Sequence, residues 1–197
     1  MQVLLFSPSN PSAVPAAGAL LSVTTMDRAA MAATESLYYS THATPFGEIL
    51  VVSTAHGICE LHFTDAGENL LETLAHKFPK ALLKAATLPD HTLAAGWISG
   101  NLPSKAVPLH LSGSSFQLQV WQALLEIPAG QTYTYGQLAA RLGLSATAAR
   151  AVGTAVGQNT IAVLIPCHRV VGSTGKLTGF RWGVERKKQL LQAEMNS

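Results

Sequence analysis

Four small residues, Ser112-Gly113-Ser114-Ser115, divide this chain into two stretches of different texture, and that break constrains the fold more than any other feature. Before it, Tyr38–Thr44, Glu48–Ser53 and Ile58–Phe63 read as short strands, with turns at Pro45-Phe46-Gly47 and His56-Gly57. Leu70–Phe78 and Leu93–Ile98 read as helices stopped by Pro79 and Gly100. After the break, Phe116, Val120, Leu124 and Ile127 recur every three to four residues until Pro128 ends the helix. Helices over Tyr135–Leu142 and Ala146–Gly157 follow, joined by Gly143-Leu144-Ser145 with Ser145 placed as an N-cap, and a polar helix covers Glu185–Met195. The expected fold class is α+β: a small N-terminal α/β domain over 36–111, then a mostly helical C-terminal domain over 112–197 containing a helix-turn-helix. Residues 1–35, rich in small residues with prolines at 8, 11 and 15, read as a disordered extension and match neither a secretory signal nor a transit peptide.

At 48% hydrophobic and 12% charged residues, the chain is expected to be globular. No apolar run is long enough to span a membrane. The formal charge of +2 is unevenly spread. Residues 1–119 hold five Lys/Arg against eight Asp/Glu, whereas residues 120–197 hold eight against three. A basic C-terminal part suits a polyanionic partner, although this much charge is also ordinary for a protein surface.

The two cysteines, Cys59 and Cys167, follow neither disulfide nor zinc spacing, so a reducing cytoplasm is the expected compartment. Cys167 lies in Ile165-Pro166-Cys167-His168-Arg169-Val170-Val171, directly before the only histidine after His110. A thiol attacks as the thiolate, and imidazole, arginine or a helix terminus can help to form it. Residue type alone favours a buried structural cysteine. The other six histidines, His42, His56, His62, His76, His91 and His110, lack regular spacing and read as surface or core residues.

The helix over Ala146–Gly157 is made almost entirely of small residues, with Arg150 its one long polar side chain. Readers of the major groove need several long polar groups, whereas a smooth helix suits close approach to the minor groove. A tightly packed interior helix would have the same composition. With a thiol nucleophile in the next segment, the DNA reading becomes a chain that flips a damaged base and reacts with it.

These segments resemble the O6-alkylguanine-DNA alkyltransferases, the methylated-DNA–protein-cysteine methyltransferases. Ile165–Val171 is similar to the family's active-site signature. Tyr135-Gly136-Gln137-Leu138-Ala139, Ala149-Arg150-Ala151-Val152-Gly153, Asn159 and Gly179-Phe180-Arg181-Trp182-Gly183 match family segments in order. The resemblance runs from about Leu37 to the C-terminus and implies a ribonuclease H-like N-terminal domain. It implies a single-turnover enzyme that moves a methyl or short alkyl group from O6-alkylguanine, and more weakly from O4-alkylthymine, onto Cys167.

By the same resemblance His168 draws the thiol proton through a water, Glu194 orients His168, and Tyr135 donates a proton to guanine N3. Arg150 fills the vacated base stack, with Ala148, Ala149, Ala151 and Gly153 against the DNA. Asn159 and Arg169 support the site, and Val170, Phe180, Arg181 and Trp182 line the substrate pocket, with Trp182 narrowing its lip toward short alkyl groups. The partner implied is duplex DNA carrying O6-alkylguanine, met by a monomer without obligate protein partner or membrane, in the cytoplasm or a eukaryotic nucleus. No cofactor is implied, because the alkylated base is both electrophile and leaving group. Some relatives hold zinc in the N-terminal domain; with only Cys59 available there, no metal is expected. Two other functions fit parts of the pattern: a helix-turn-helix regulator without alkyl transfer, and a thiol hydrolase.

Overall fold

The three short strands expected between turns form an antiparallel meander of β2 (Ser36–Thr44), β3 (Gly47–Thr54) and β4 (Gly57–Phe63). The computed structural model describes residues 21–64 and 69–196, which divide into two compact units, 21–114 and 115–196. In the first unit the meander is extended by β1 (Leu21–Met26), β5 (Leu82–Ala85) and β6 (Val107–Ser112) into one six-stranded sheet of order β1-β6-β4-β3-β2-β5. The added strands pair parallel: β1 with β6, β6 with β4, and β5 with β2. Every residue of β4 is buried, as a central strand covered on both faces requires.

Alternation along β3 sends its side chains to two different layers. Leu50 and Val52 join Leu37, Cys59, Leu74 and Phe78 in one core, with Leu74 supplied by α2 (Leu70–Lys77). Ser53, on the other face, accepts α3 (Pro89–Ile98) through His91, whose Nε2 lies 2.9 Å from Ser53 Oγ and whose Nδ1 lies 2.7 Å from Ser40 Oγ. Burial holds His91 down at about pKa 4, so it packs as a neutral ring. The two other buried histidines of this unit are also bonded, His110 to Thr54 at 2.7 Å and His62 to Glu60 at 2.7 Å.

Several sequence expectations are corrected here. Residues 21–35 are not an extension: β1 pairs with β6 over six positions, and α1 (Arg28–Ala32), capped by Asp27, places Met31 in the core. Residues 1–20 lie outside the described residues. Two strands, β5 and β6, had no signal strong enough to be read, because β5 is short and β6 carries a proline and a histidine. The α3 helix begins at Pro89 and not at Leu93, since proline is favoured in a first turn where its missing N–H is not needed.

In the second unit, α4 (Ser115–Leu125), α5 (Tyr135–Arg141), α6 (Ala149–Gly157) and α7 (Val184–Met195) surround a two-stranded ladder of β7 (Tyr133–Thr134) and β8 (Val170–Val171). Thr134 and Gln137 form a reciprocal capping box that starts α5. Ala146–Ala148 form a 3-10 turn before α6, and the Ser145 side chain bonds Thr147 Oγ1 instead of capping the helix. Buried Trp121 of α4 donates from Nε1 to the Ala155 carbonyl at 2.9 Å, fixing α6 against α4. Among the described residues, no helix is long and apolar enough to cross a membrane.

Gly57 is the tightest point of the first unit. Its φ is +140°, and an added Cβ would fall 2.7 Å from the Pro108 carbonyl oxygen. Gly57→Ala is therefore expected to cost about 2–4 kcal/mol, through strain and backbone collision together. Urea unfolding followed by far-UV circular dichroism checks it; an unchanged midpoint contradicts the close approach.

Candidate active site

Asn159 follows Gln158, the C-cap of α6, and has only 1% of its surface exposed. Its Nδ2 lies 3.0 Å from the Ile161 and Ile165 carbonyls and 3.2 Å from Cys167 Sγ, while its Oδ1 accepts from the Ile161 N–H at 2.9 Å. One amide thus ties the helix end to the segment carrying the thiol. That segment is sharply bent. Val163 has φ +64°, a costly conformation for a β-branched residue, and Leu164 N–H closes a three-residue turn onto the Ala162 carbonyl at 2.6 Å. The bend delivers Cys167 to the start of a 3-10 turn, Cys167–Arg169, in which all three residues are buried.

Burial pushes the Cys167 thiol up to about pKa 11, against the opposing pull of the Asn159 hydrogen bond, Lys187 and Arg181. At neutral pH the thiol is protonated and needs a base. His168 is fully buried, and burial holds it below its ordinary value even though Glu194 opposes that shift. Its Nε2 lies 2.7 Å from Glu194 Oε1, which fixes the tautomer with Nε2–H donating. Nδ1 has no hydrogen-bond partner among the described residues and is the nitrogen able to accept a proton.

Glu194 sits in the last turn of α7 and serves two side-chain partners. Arg169 donates to both its oxygens, from Nε at 3.1 Å to each and from Nη2 at 2.8 Å to Oε1, and anchors its own Nη1 on the Ile127 carbonyl at 2.5 Å. Burial alone would raise Glu194, yet the His168 hydrogen bond and the Arg169 guanidinium hold it at about pKa 2. Arg169 faces the carboxylate, so the cationic influence on the thiol comes from Lys187 and Arg181.

Cys167 opens onto a pocket of about 300 Å³. Tyr135, Val156, Phe180 and Arg181 line it, and Gly153, Gly157 and Gly179 contribute backbone where side chains would fill the space. Tyr135 is half-buried, and burial raises its phenol above the ordinary value, leaving it a proton donor at neutral pH. On the outer side of α6, Arg150, Ala151 and Thr154 are exposed, whereas Val152, Ala155 and Val156 are buried.

The structure therefore brings Cys167, His168, Glu194, Tyr135, Asn159 and Arg169 into one cluster, with Arg150 and Ala151 on the adjoining exposed face. Ala148 closes the 3-10 turn and Ala149 begins α6. Gly153 departs from its expected place: it faces the Tyr135 ring and lines the pocket. Two pocket expectations are corrected. Val170 is fully buried in β8, and Trp182, 6% exposed, packs edge-to-face on Phe180 at 5.2 Å and does not form the lip.

Lys187 escaped the sequence reading. Its surface is fully buried, and its Nζ donates to the carbonyls of Val170 at 2.5 Å, Thr178 at 3.0 Å and Gly179 at 3.3 Å, stapling the pocket loop to β8. A signal existed. Lys187, Leu190, Leu191 and Glu194 share the i, i+3, i+4, i+7 face of α7, so the leucines mark both polar residues as inward-facing. No group of three His, Cys, Asp or Glu side chains converges as a metal site among the described residues.

Comparison with known proteins agrees with this geometry. Residues 115–196 match the model of the 6-O-methylguanine DNA methyltransferase DNA-binding domain, and residues 37–92 that of the family's ribonuclease-like domain. A methylated-DNA–protein-cysteine methyltransferase of Methanosarcina barkeri is 39% identical over 163 residues, 82% of this chain and 99% of that protein. The regulatory protein ada of Salmonella typhimurium is 44% identical over 76% of this chain, which spans only 43% of that longer protein. The crystal structure of Mycobacterium tuberculosis OGT in complex with DNA superposes with a TM-score of 0.67 at 34% identity, covering 81% of this chain and 93% of that one.

Two outcomes test the site. Lys187→Met leaves the buried Val170 carbonyl and the part-buried Thr178 and Gly179 carbonyls without their donor and is expected to destabilise the protein by about 1–3 kcal/mol, read from the urea midpoint. The second concerns acid. Glu194 is depressed to about 2 when folded and lies near 4.3 unfolded, so it stabilises the fold above that unfolded value. That contribution, about 3 kcal/mol, is lost as pH falls from about 4.3 toward 2. Thermal melts between pH 7 and 2 should show Glu194→Gln less stable at neutral pH, with a flatter acid limb than the parent; parallel curves contradict the assignment.

Proposed function

The chain belongs to the 6-O-methylguanine DNA methyltransferase family, and from that membership we propose that it repairs duplex DNA by moving a methyl or short alkyl group from guanine O6 onto Cys167. The observation that carries this reading is the shared pocket: Cys167 and the inner side of α6 line one cavity, while the outer side of the same helix is smooth and exposed. DNA lies along α6 by its minor groove, where small side chains permit close approach and base identity matters little. Arg150 takes the place of the base that leaves the stack.

In the pocket, Tyr135 and Phe180 flank the base and Cys167 faces its alkyl carbon. The thiol proton passes through a water to His168 Nδ1, while Glu194 holds the ring and stabilises the imidazolium. Sγ then bonds to the alkyl carbon, the carbon–O6 bond breaks, and its electron pair stays with guanine. The Tyr135 hydroxyl donates to N3 as the base departs; such general-acid help is worth roughly 10²–10⁴-fold. Thiol and alkylguanine become thioether and guanine, so the balance closes without a co-reactant. The thioether is stable, and each chain acts once. O4-alkylthymine is a slower substrate, and DNA is the one partner that a monomer needs.

Incubation with a duplex containing O6-methylguanine, followed by intact and peptide mass spectrometry, tests the proposal. One added CH₂ on the Cys167 peptide is expected. Cys59, buried with its thiol pushed up still further, stays unmodified and serves as the internal control. Cys167→Ser should bind the duplex and gain no mass. An unmodified Cys167 peptide beside an unrepaired duplex overturns the reading, and sustained turnover on esters or amides would favour a thiol hydrolase.

A further inference from the structure

Thr178 stands outside the set of residues lining the pocket, yet its hydroxyl hydrogen-bonds the Tyr135 phenol that faces into it. The threonine is held in place from two sides. Its carbonyl accepts from the buried Lys187 Nζ at 3.0 Å, and its side chain rests against Gly172, where an added Cβ would lie 3.5 Å from Thr178 Oγ1. The Gly172 N–H in turn closes the loop onto the Lys176 carbonyl at 3.0 Å. The Tyr135 ring is confined by α6, since an added Cβ at Gly153 would lie 3.5 Å from it. With the ring confined, the freedom left to the phenol is rotation of its O–H.

A phenol oxygen carries one hydrogen and accepts through its lone pairs. A hydroxyl that donates to this oxygen leaves the phenol hydrogen for another acceptor. Burial and the neighbouring Cys167 both hold the proton on Tyr135, and the Thr178 hydrogen bond opposes them.

We propose that Thr178 is a positioning residue for the proton donor: by donating to the Tyr135 oxygen it turns the phenol hydrogen toward guanine N3 and stabilises the phenolate as that hydrogen leaves. The inference rests on the transfer reaction proposed above, with Tyr135 as its donor. As sulfur bonds to the alkyl carbon, the carbon–O6 electron pair passes into the ring and N3 takes the phenol proton. A hydroxyl bonds a phenolate more strongly than a neutral phenol, so the contribution of Thr178 grows toward the transition state. The proton that His168 took from the thiol returns through water to Tyr135, and guanine exchanges its N3 proton for one on N1. No co-reactant is needed.

Single-turnover methyl transfer at saturating protein tests this on two duplexes, one with O6-methylguanine and one with O6-methyl-3-deazaguanine, whose C–H in place of N3 accepts no proton. Thr178→Val keeps the side-chain shape and removes the hydroxyl; Thr178→Ser keeps the hydroxyl. On O6-methylguanine, Thr178→Val is expected to slow transfer on the order of fivefold, and Thr178→Ser to regain most of it. On the deaza duplex Thr178→Val should match the parent, and in a Tyr135→Phe background it should add no further loss. An unchanged rate in Thr178→Val overturns the proposal. So does an equal fall on both duplexes, or an additive loss beside Tyr135→Phe, because either marks Thr178 as a general support of the loop. If Tyr135→Phe itself costs nothing, the donor role fails first; if the parent transfers no methyl from the O6-methylguanine duplex, the acceptor role of Cys167 fails before either.

Discussion

A single carboxylate from the last turn of the last helix organises the reactive half of this protein. Glu194 answers two side-chain donors at once, and the division of labour matters. Arg169 satisfies its charge with a two-oxygen fork, so His168 need supply only a hydrogen bond and stays neutral in the interior. A carboxylate without Arg169 would draw a proton onto the imidazole and remove the base. An imidazole without Glu194 would be free to choose its tautomer and its angle. The Gly130 N–H, 3.3 Å from Glu194 Oε2, and the Arg169 bond to the Ile127 carbonyl extend the arrangement into the loop after α4.

Around that anchor the site keeps its nucleophile unreactive until it is used. Burial makes the Cys167 thiol a weak acid, and the groups that counter burial are an amide and two cations at its edge, none of them a base. Asn159 is spent on holding position. With two amide protons facing three acceptors, it fixes the thiol, the bend at Ile161 and the carbonyl of Ile165 together. The bend itself costs backbone strain at Val163, which persists because packed neighbours on both sides determine its path. Asn159 thus links the segment after α6 to the sulfur.

How much of this was legible depended on whether the signal was local. The meander was readable because β2, β3 and β4 are short runs bounded by turn residues at Pro45-Phe46-Gly47 and His56-Gly57, which are local signals. The strands β5 and β6 were not, since four residues or a proline-bearing run hold too little pattern, and they exist through pairing with partners distant in sequence. The same reasoning explains residues 21–26. They look like a tail because nothing local holds them, and they become β1 because β6 offers an unpaired edge. Trp182 misled for a related reason. Its place in a loop beside Phe180 said that it lay near the pocket, whereas burial and the packing on Phe180 turn the ring inward.

The sequence by itself determined the chemistry: a thiol beside an imidazole, a helix stripped of bulk apart from Arg150, and a tyrosine opening the helix before it. These are local facts about which groups exist and how a few neighbours are spaced. Only the tertiary structure decided the protonation of those groups and what they face. A thiol near pKa 11, a neutral His168 with a bare Nδ1, and a lysine buried to staple three carbonyls are all set by distance to other chain segments and by loss of water. Linear spacing carries neither quantity. Desolvation and charge depend on the full three-dimensional neighbourhood, and here the far end of that neighbourhood is a glutamate at the end of the chain.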